Sequence, residues 1–102
     1  MSWPIDADGD VFRSLEQSGF DFSAVALVDF NVDVPNPEVW GDVIDAALDV
    51  YPDAAIHEED TYFVVQLEAK LTYDFVIQTQ KKLTAAAAPF GGKCDSWGVL
   101  VD

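Results

Sequence analysis

"LVDFNVDVPNPEVWGDVIDAALDVYP", residues 27–52, carries two different periods back to back. In the first part apolar and polar side chains alternate. Val28, Phe30, Val32 and Val34 share one face, and Leu27, Asp29, Asn31 and Asp33 share the other. That alternation predicts a strand over Leu27–Val34 with one buried face. Pro35 and Pro37 end it, because neither can donate to a ladder. Asn36 is placed to cap a helix, with Pro37 at the first helical position, where its missing N–H does no harm. The period then becomes helical: Val39, Trp40, Val43, Ile44, Ala47, Leu48 and Tyr51 form a broad apolar stripe, which Pro52 closes.

The opposite side of this helix is acidic. Glu38, Asp42, Asp45 and Asp49 stand at offsets 0, 4, 7 and 11, and residues 34–52 contain no Lys or Arg. Like charges at such spacings cost roughly 0.2–0.5 kcal/mol per pair in an isolated helix. Burial of Trp40, Ile44 and Leu48 is worth several times more, so the fold can carry the acid. A cationic partner would turn this repulsion into attraction, which makes the stripe the first candidate docking surface. The polar face of the strand is the second, with Asp29, Asn31 and Asp33 joined by Gln66 and Glu68.

Upstream, Asp10–Ser18 reads as a short helix with Val11, Phe12 and Leu15 on one side and Gly19 as the residue that ends it. Asp6, Asp8 and Asp10 lie at or before its N-terminus, where negative charge suits the helix dipole. Phe20–Ser23 form a loop with two aromatic anchors. Downstream, Ala54–Glu58 and Tyr62–Ala69 read as two strands of a hairpin turning at Glu59-Asp60, with Phe63, Val65, Leu67 and Ala69 on one face. Thr72 caps a second long helix, with Leu71 placed to staple against Val76. That helix runs into the alanines at 85–88 and stops at Pro89. After Gly91-Gly92, Ser96–Val101 forms the last strand, with Trp97, Val99 and Val101 on one face.

The order is β-α-β-β-α-β behind an extra N-terminal helix. This predicts an α+β, ferredoxin-like sandwich: one antiparallel four-stranded sheet with two helices on one face. Right-handed crossovers place the first and third strands in the middle. The 102 residues suit one domain, with residues 1–24 as N-terminal helix and loop and 25–102 as core.

Nineteen acidic residues face five basic ones, for a formal charge of −14. That field repels nucleic acid and anionic membrane surfaces and favours a basic protein segment, most strongly in association rate. A solubility role, or a salt-adapted proteome, accounts for the same composition. Cys94 is the only cysteine, so an internal disulfide is impossible and the cytoplasm is the expected compartment. The start, "MSWPIDADGD", has neither the basic nor the apolar region of a secretory signal.

No catalytic constellation emerges, and neither a cofactor nor a metal site is expected. "DADGD" (Asp6–Asp10) suggests a calcium loop, but counting from Asp6 the sixth and twelfth positions hold Val11 and Gln17 where Gly and Glu are needed. Helix capping is the expected role. His57 and Glu58 are neighbours on a strand and point to opposite faces, so they form no dyad. Cys94 lacks the partners of a redox or zinc site and is expected to be a small buried thiol. "PFGGK" has neither the spacing nor the Ser/Thr of a phosphate-binding loop.

The chain as a whole resembles the RraB family of ribonuclease E inhibitors. "DADGDVFRSLEQSGFDFS" is similar to the N-terminal segment of single-domain members, and "VDFNVDV" to their first core strand. The β-α-β-β-α-β order agrees, and "CDSWGVLVD" is similar to their closing Asp-x-Trp-Gly strand. The resemblance spans Ile5 to Asp102. It implies an acidic, non-enzymatic, ferredoxin-like protein that binds ribonuclease E away from its catalytic centre and lowers RNA cleavage. The composition leaves a second class open: an inhibitor or immunity-type protein that mimics nucleic acid and has a different basic partner.

Overall fold

Val28, Phe30 and Val32 sit at the centre of a sheet, fully buried between neighbours on both sides. The computed structural model describes residues 4–99. In chain order it contains α1 (Ala7–Gln17), β1 (Val25–Asp33), α2 (Trp40–Val50), β2 (Ala55–Glu58), β3 (Tyr62–Lys70), α3 (Tyr73–Ala87) and β4 (Lys93–Val99). The four strands form one antiparallel sheet in the order β2-β3-β1-β4, so the first and third strands are central, as expected.

Register explains which face is dry. Val28, Phe30 and Val32 pair with Leu67, Val65 and Phe63 of β3. On the other side they pair with Val99, Trp97 and Cys94 of β4. Apolar side chains from all three strands therefore line one face. Against it, α2 buries Trp40, Val43 and Ala47, and α3 buries Val76, Leu83 and Ala87. The two helices are tied together by the Tyr51 hydroxyl, which donates to Thr79 Oγ1 at 3.2 Å. Thr79 is the one buried polar residue among the described residues, and this bond satisfies it. Thr72 caps α3 by accepting from the Phe75 N–H, and Leu71 and Val76 flank the cap inside the core, as a staple requires.

The loop into α2 differs from the expected continuous helix. Asn36 does cap, accepting from the Glu38 N–H at 3.1 Å, but Pro37–Val39 form a 3₁₀ turn and the α-helix starts at Trp40. The buried Trp40 indole donates to Val34 O at 2.8 Å, anchoring the turn to the end of β1. The dry centre of α2 is Trp40, Val43 and Ala47; Ile44 and Leu48 are half-buried on its margin.

β4 also differs. It begins at Lys93, three residues before the expected start, and carries a bulge: Asn31 pairs with Ser96 while Val32 pairs with Cys94, leaving Asp95 unpaired. Regular alternation from Trp97 would turn Asp95 toward the apolar face. The bulge lets Cys94 take that place and releases the acid to solvent. The expected extension of β4 to Val101 lies outside the described residues.

The N-terminal helix starts at Ala7, three residues before the expected Asp10, because Asp6 is its cap. Asp6 Oδ1 accepts from the Gly9 N–H at 2.7 Å, and Oδ2 accepts from the Tyr73 hydroxyl at 2.6 Å. Asp8 accepts from the Trp97 indole N–H at 2.7 Å and from the Gln80 amide at 3.3 Å. Phe12 fills the space beneath, with Trp97 at 5.5 Å and Tyr73 and Phe22 at 5.9 Å between ring centroids. Gly9 is needed here because a Cβ would lie 1.9 Å from Pro4 O. The helix ends in a Schellman motif: Gly19, at φ +82°, donates to Glu16 O, and Phe20 donates to Leu15 O.

Trp97 thus faces the core side with Val99, as expected, but is half-buried. Trp97→Ala should cost about 3 kcal/mol, near the low end for large aromatics. Urea unfolding measures it, and a loss under about 1 kcal/mol would mean that α1 is not held through this ring.

Candidate functional site

Among the described residues no layer covers the second face of the sheet. Register places Leu27, Asp29, Asn31 and Asp33 of β1 there, with Tyr62, Val64, Gln66 and Glu68 of β3, His57 of β2 and Ser96 and Gly98 of β4. Leu27 and Tyr62 are exposed, and none of these side chains is fully buried. Two cross-strand bonds order the surface. Gln66 Nε2 donates to Asp29 Oδ1 at 2.8 Å, and Asn31 Nδ2 donates to Ser96 Oγ at 2.8 Å. Asp29, Asn31 and Asp33 are therefore brought together on one open face, as their alternation requires.

At one end this face dips into a depression of about 230 Å³ lined by Asn31, Asp33, Thr61, Tyr62, Asp95 and Ser96. The bulge in β4 sets Asp95 at its rim, where Lys93 Nζ lies 3.7 Å from the carboxylate. Thr61, Tyr62, Asp95 and Ser96 were not among the expected site residues. The signal was present in "KCDSWGV", since an acid at a core-facing position of a strand calls for a bulge.

The acids of α2 lie elsewhere. Asp42, Asp45 and Asp49 are exposed on the outer side of the helix layer, whereas the sheet residues lie on the far side of the sheet. The two candidate surfaces are thus separated by the whole core. Glu38 is also exposed but belongs to the 3₁₀ turn, so the stripe continuous at α-helical spacing is Asp42, Asp45 and Asp49. The ion pairs formed among the described residues, Arg13–Asp10 and Lys93–Asp95, leave these three carboxylates uncompensated.

In "DADGD", Asp6 and Asp8 spend their oxygens on Gly9, Tyr73, Trp97 and Gln80. Among the described residues no group of three or more His, Cys, Asp or Glu is arranged to hold a metal ion. His57 is exposed on the open sheet face, and register turns Glu58 to the other. The half-buried Cys94 thiol is pushed up to about 12 by burial and then by the charges of Asp95 and Asp8, so it is not a thiolate near neutral pH. No helix among the described residues is long and apolar enough to cross a membrane.

What this arrangement defines is a small acidic α+β domain, with its unengaged polar groups on an open sheet face and an outer helix face. The chain belongs to the RraB family: the family model, described as Regulator of ribonuclease activity B, matches residues 5–99. Membership implies a role in regulating ribonuclease activity and a ribonuclease as partner. Comparison with curated proteins gave no match.

The Asp6–Tyr73 bond makes stability pH-dependent at both extremes. The Tyr73 hydroxyl, then the Gly9 N–H, holds Asp6 below its ordinary 3.8; the same bond pushes the Tyr73 phenol from 10 up to about 12. Asp6's contribution is lost as pH falls below 3.8 through its depressed value, and Tyr73's as pH rises from 10 toward about 12. Tyr73→Phe should flatten the alkaline limb in urea midpoints measured against pH. An unchanged limb would place the alkaline sensitivity elsewhere.

Proposed function

We propose that this chain is a non-enzymatic acidic regulator that binds a basic segment of an RNA-processing ribonuclease, of the ribonuclease E kind, and lowers its cleavage of RNA. Its scaffold is a ferredoxin-like sandwich, supported by the strand order β2-β3-β1-β4 and by two helices that bury into one core. The extra helix α1 belongs to the same folding unit, supported by Phe12, which is fully buried in that core.

The observation that carries the reading is the uncompensated acid. Asp42, Asp45 and Asp49 repeat at helical spacing on an exposed face, and among the described residues no ion pair neutralises them. Such a face raises the association rate of a basic segment, and its attraction fades as salt screens it over roughly 8–10 Å. Glu38 extends this acid at the start of α2, and Asp29, Asn31 and Asp33 offer a second contact on the sheet. The regulator works by occupancy: a basic segment held here is withdrawn from RNA or from the nuclease's other contacts.

Asp42→Asn, Asp45→Asn and Asp49→Asn together test this against a basic ribonuclease fragment, with RNA cleavage followed in parallel. Folding stability should stay level or rise, since repulsion between i,i+3 and i,i+4 neighbours is removed. Association should slow, its salt dependence should shrink, and inhibition should weaken. A wild-type protein that neither binds the fragment nor slows cleavage would sink the reading. If nucleic acid competes for the groove that the protein occupies on its partner, mimicry of nucleic acid is the mechanism.

A further inference from the structure

We propose that the depression at the end of the open sheet face is a socket for an arginine side chain of the basic partner segment, a role that deepens the reading above and rests on it. Asp33 and Asp95 flank the depression, and the exposed Tyr62 ring forms part of its wall. Asn31 and Ser96 already bond to each other through the amide nitrogen and the hydroxyl, which leaves the Asn31 carbonyl oxygen available to accept.

Two of the lining side chains, Asp33 and Asp95, are acceptors only, and the other four can accept as well as donate. Asp33 is half-buried, yet its carboxylate forms neither a hydrogen bond nor an ion pair among the described residues. Asp95 has Lys93 at 3.7 Å, but both side chains are more than half exposed, so this pair is weak and an incoming cation can replace it. Guanidinium suits these walls better than ammonium. Its planar fork can bridge carboxylates while its face lies against a tyrosine ring.

Charge also selects the occupant. A second copy of the chain would bring another −14 against a face that already carries Asp29, Asp33, Glu68 and Asp95. Nucleic acid is disfavoured for the same reason. The remaining class is a basic polypeptide, its apolar stems covering the half-buried Val64 opposite Asn31 and, further along β1, the exposed Leu27. The bulge in β4 acquires a purpose beyond relieving the core, since it places the second carboxylate.

The test uses the full isotope-labelled chain with two synthetic probes, a short Arg-Ser repeat peptide and the same peptide with every Arg replaced by Lys. The Arg peptide should bind roughly tenfold tighter, about 1.4 kcal/mol. Amide shifts should centre on Asn31, Asp33, Thr61, Tyr62 and Ser96. Asp33→Asn with Asp95→Asn should abolish the preference, and Tyr62→Ala alone should reduce it; this exposed position keeps the test valid if the double variant fails to fold. Equal affinities, or shifts confined to Asp42–Asp49, would overturn the socket. A ribonuclease fragment that binds wild type and the socket variants alike removes the socket and leaves the regulatory role standing. A socket that prefers the Arg peptide while no ribonuclease fragment binds does the reverse.

Discussion

Everything in this structure follows from the pairing of β1 with β3 and β4 through one dry face. Val28, Phe30 and Val32 are enclosed by Phe63, Val65 and Leu67 on one side and by Cys94, Trp97 and Val99 on the other. At roughly 25 cal/mol per Å² of apolar surface, this face and the helices over it supply most of the driving force for folding. Because side chains on a strand alternate, concentrating the apolar groups on one face leaves the other polar and uncovered. The open surface is a by-product of the core, and it is fixed in register just as firmly.

The acid is distributed to match. On α2 it occupies the outer side of a helix whose inner side holds Trp40, Val43 and Ala47, so repulsion of a few tenths of a kcal/mol per pair is set against burial worth several kcal/mol. In β4 one acid lies within a strand that must present apolar groups, and the bulge at Asp95 resolves the conflict. Near the N-terminus, Asp6 and Asp8 become acceptors for a phenol, an indole and an amide. Three different local devices thus make a strongly acidic chain compatible with one core.

Long, strongly periodic elements were legible in the sequence. The alternation of β1 and β3 placed their core residues correctly, the stripe of α2 contained its buried Trp40, Val43 and Ala47 but also the half-buried Ile44 and Leu48, and right-handed crossovers gave the central strands. What escaped was decided by tertiary contact. The start of α1 depends on Asp6 finding Tyr73, 67 residues away, which no local pattern reveals. The 3₁₀ turn before α2 depends on the Trp40 indole reaching Val34 O. The bulge depends on register against Val32. The same limit applies to the surfaces: alternation put Asp29, Asn31 and Asp33 on one face, but Thr61, Tyr62 and Asp95 join them only once the strands are aligned. α-Helical spacing united Asp42, Asp45 and Asp49 with Glu38, and only the 3₁₀ turn at Pro37–Val39 parts Glu38 from them.

The attachment of α1 has one more consequence. Its links to the body include a tyrosine hydroxyl, an indole N–H and a carboxamide donating to two aspartates, over the buried ring of Phe12. None of these donors carries a net charge, so dissolved ions have little hold on them. Contacts between exposed carboxylates and a cationic partner are far more sensitive to ionic strength. Assembly and integrity therefore answer to different variables. If the outer acids hold a cationic partner as proposed, a rise in salt would release it while α1 stays latched, and the chain would be ready for reuse without refolding.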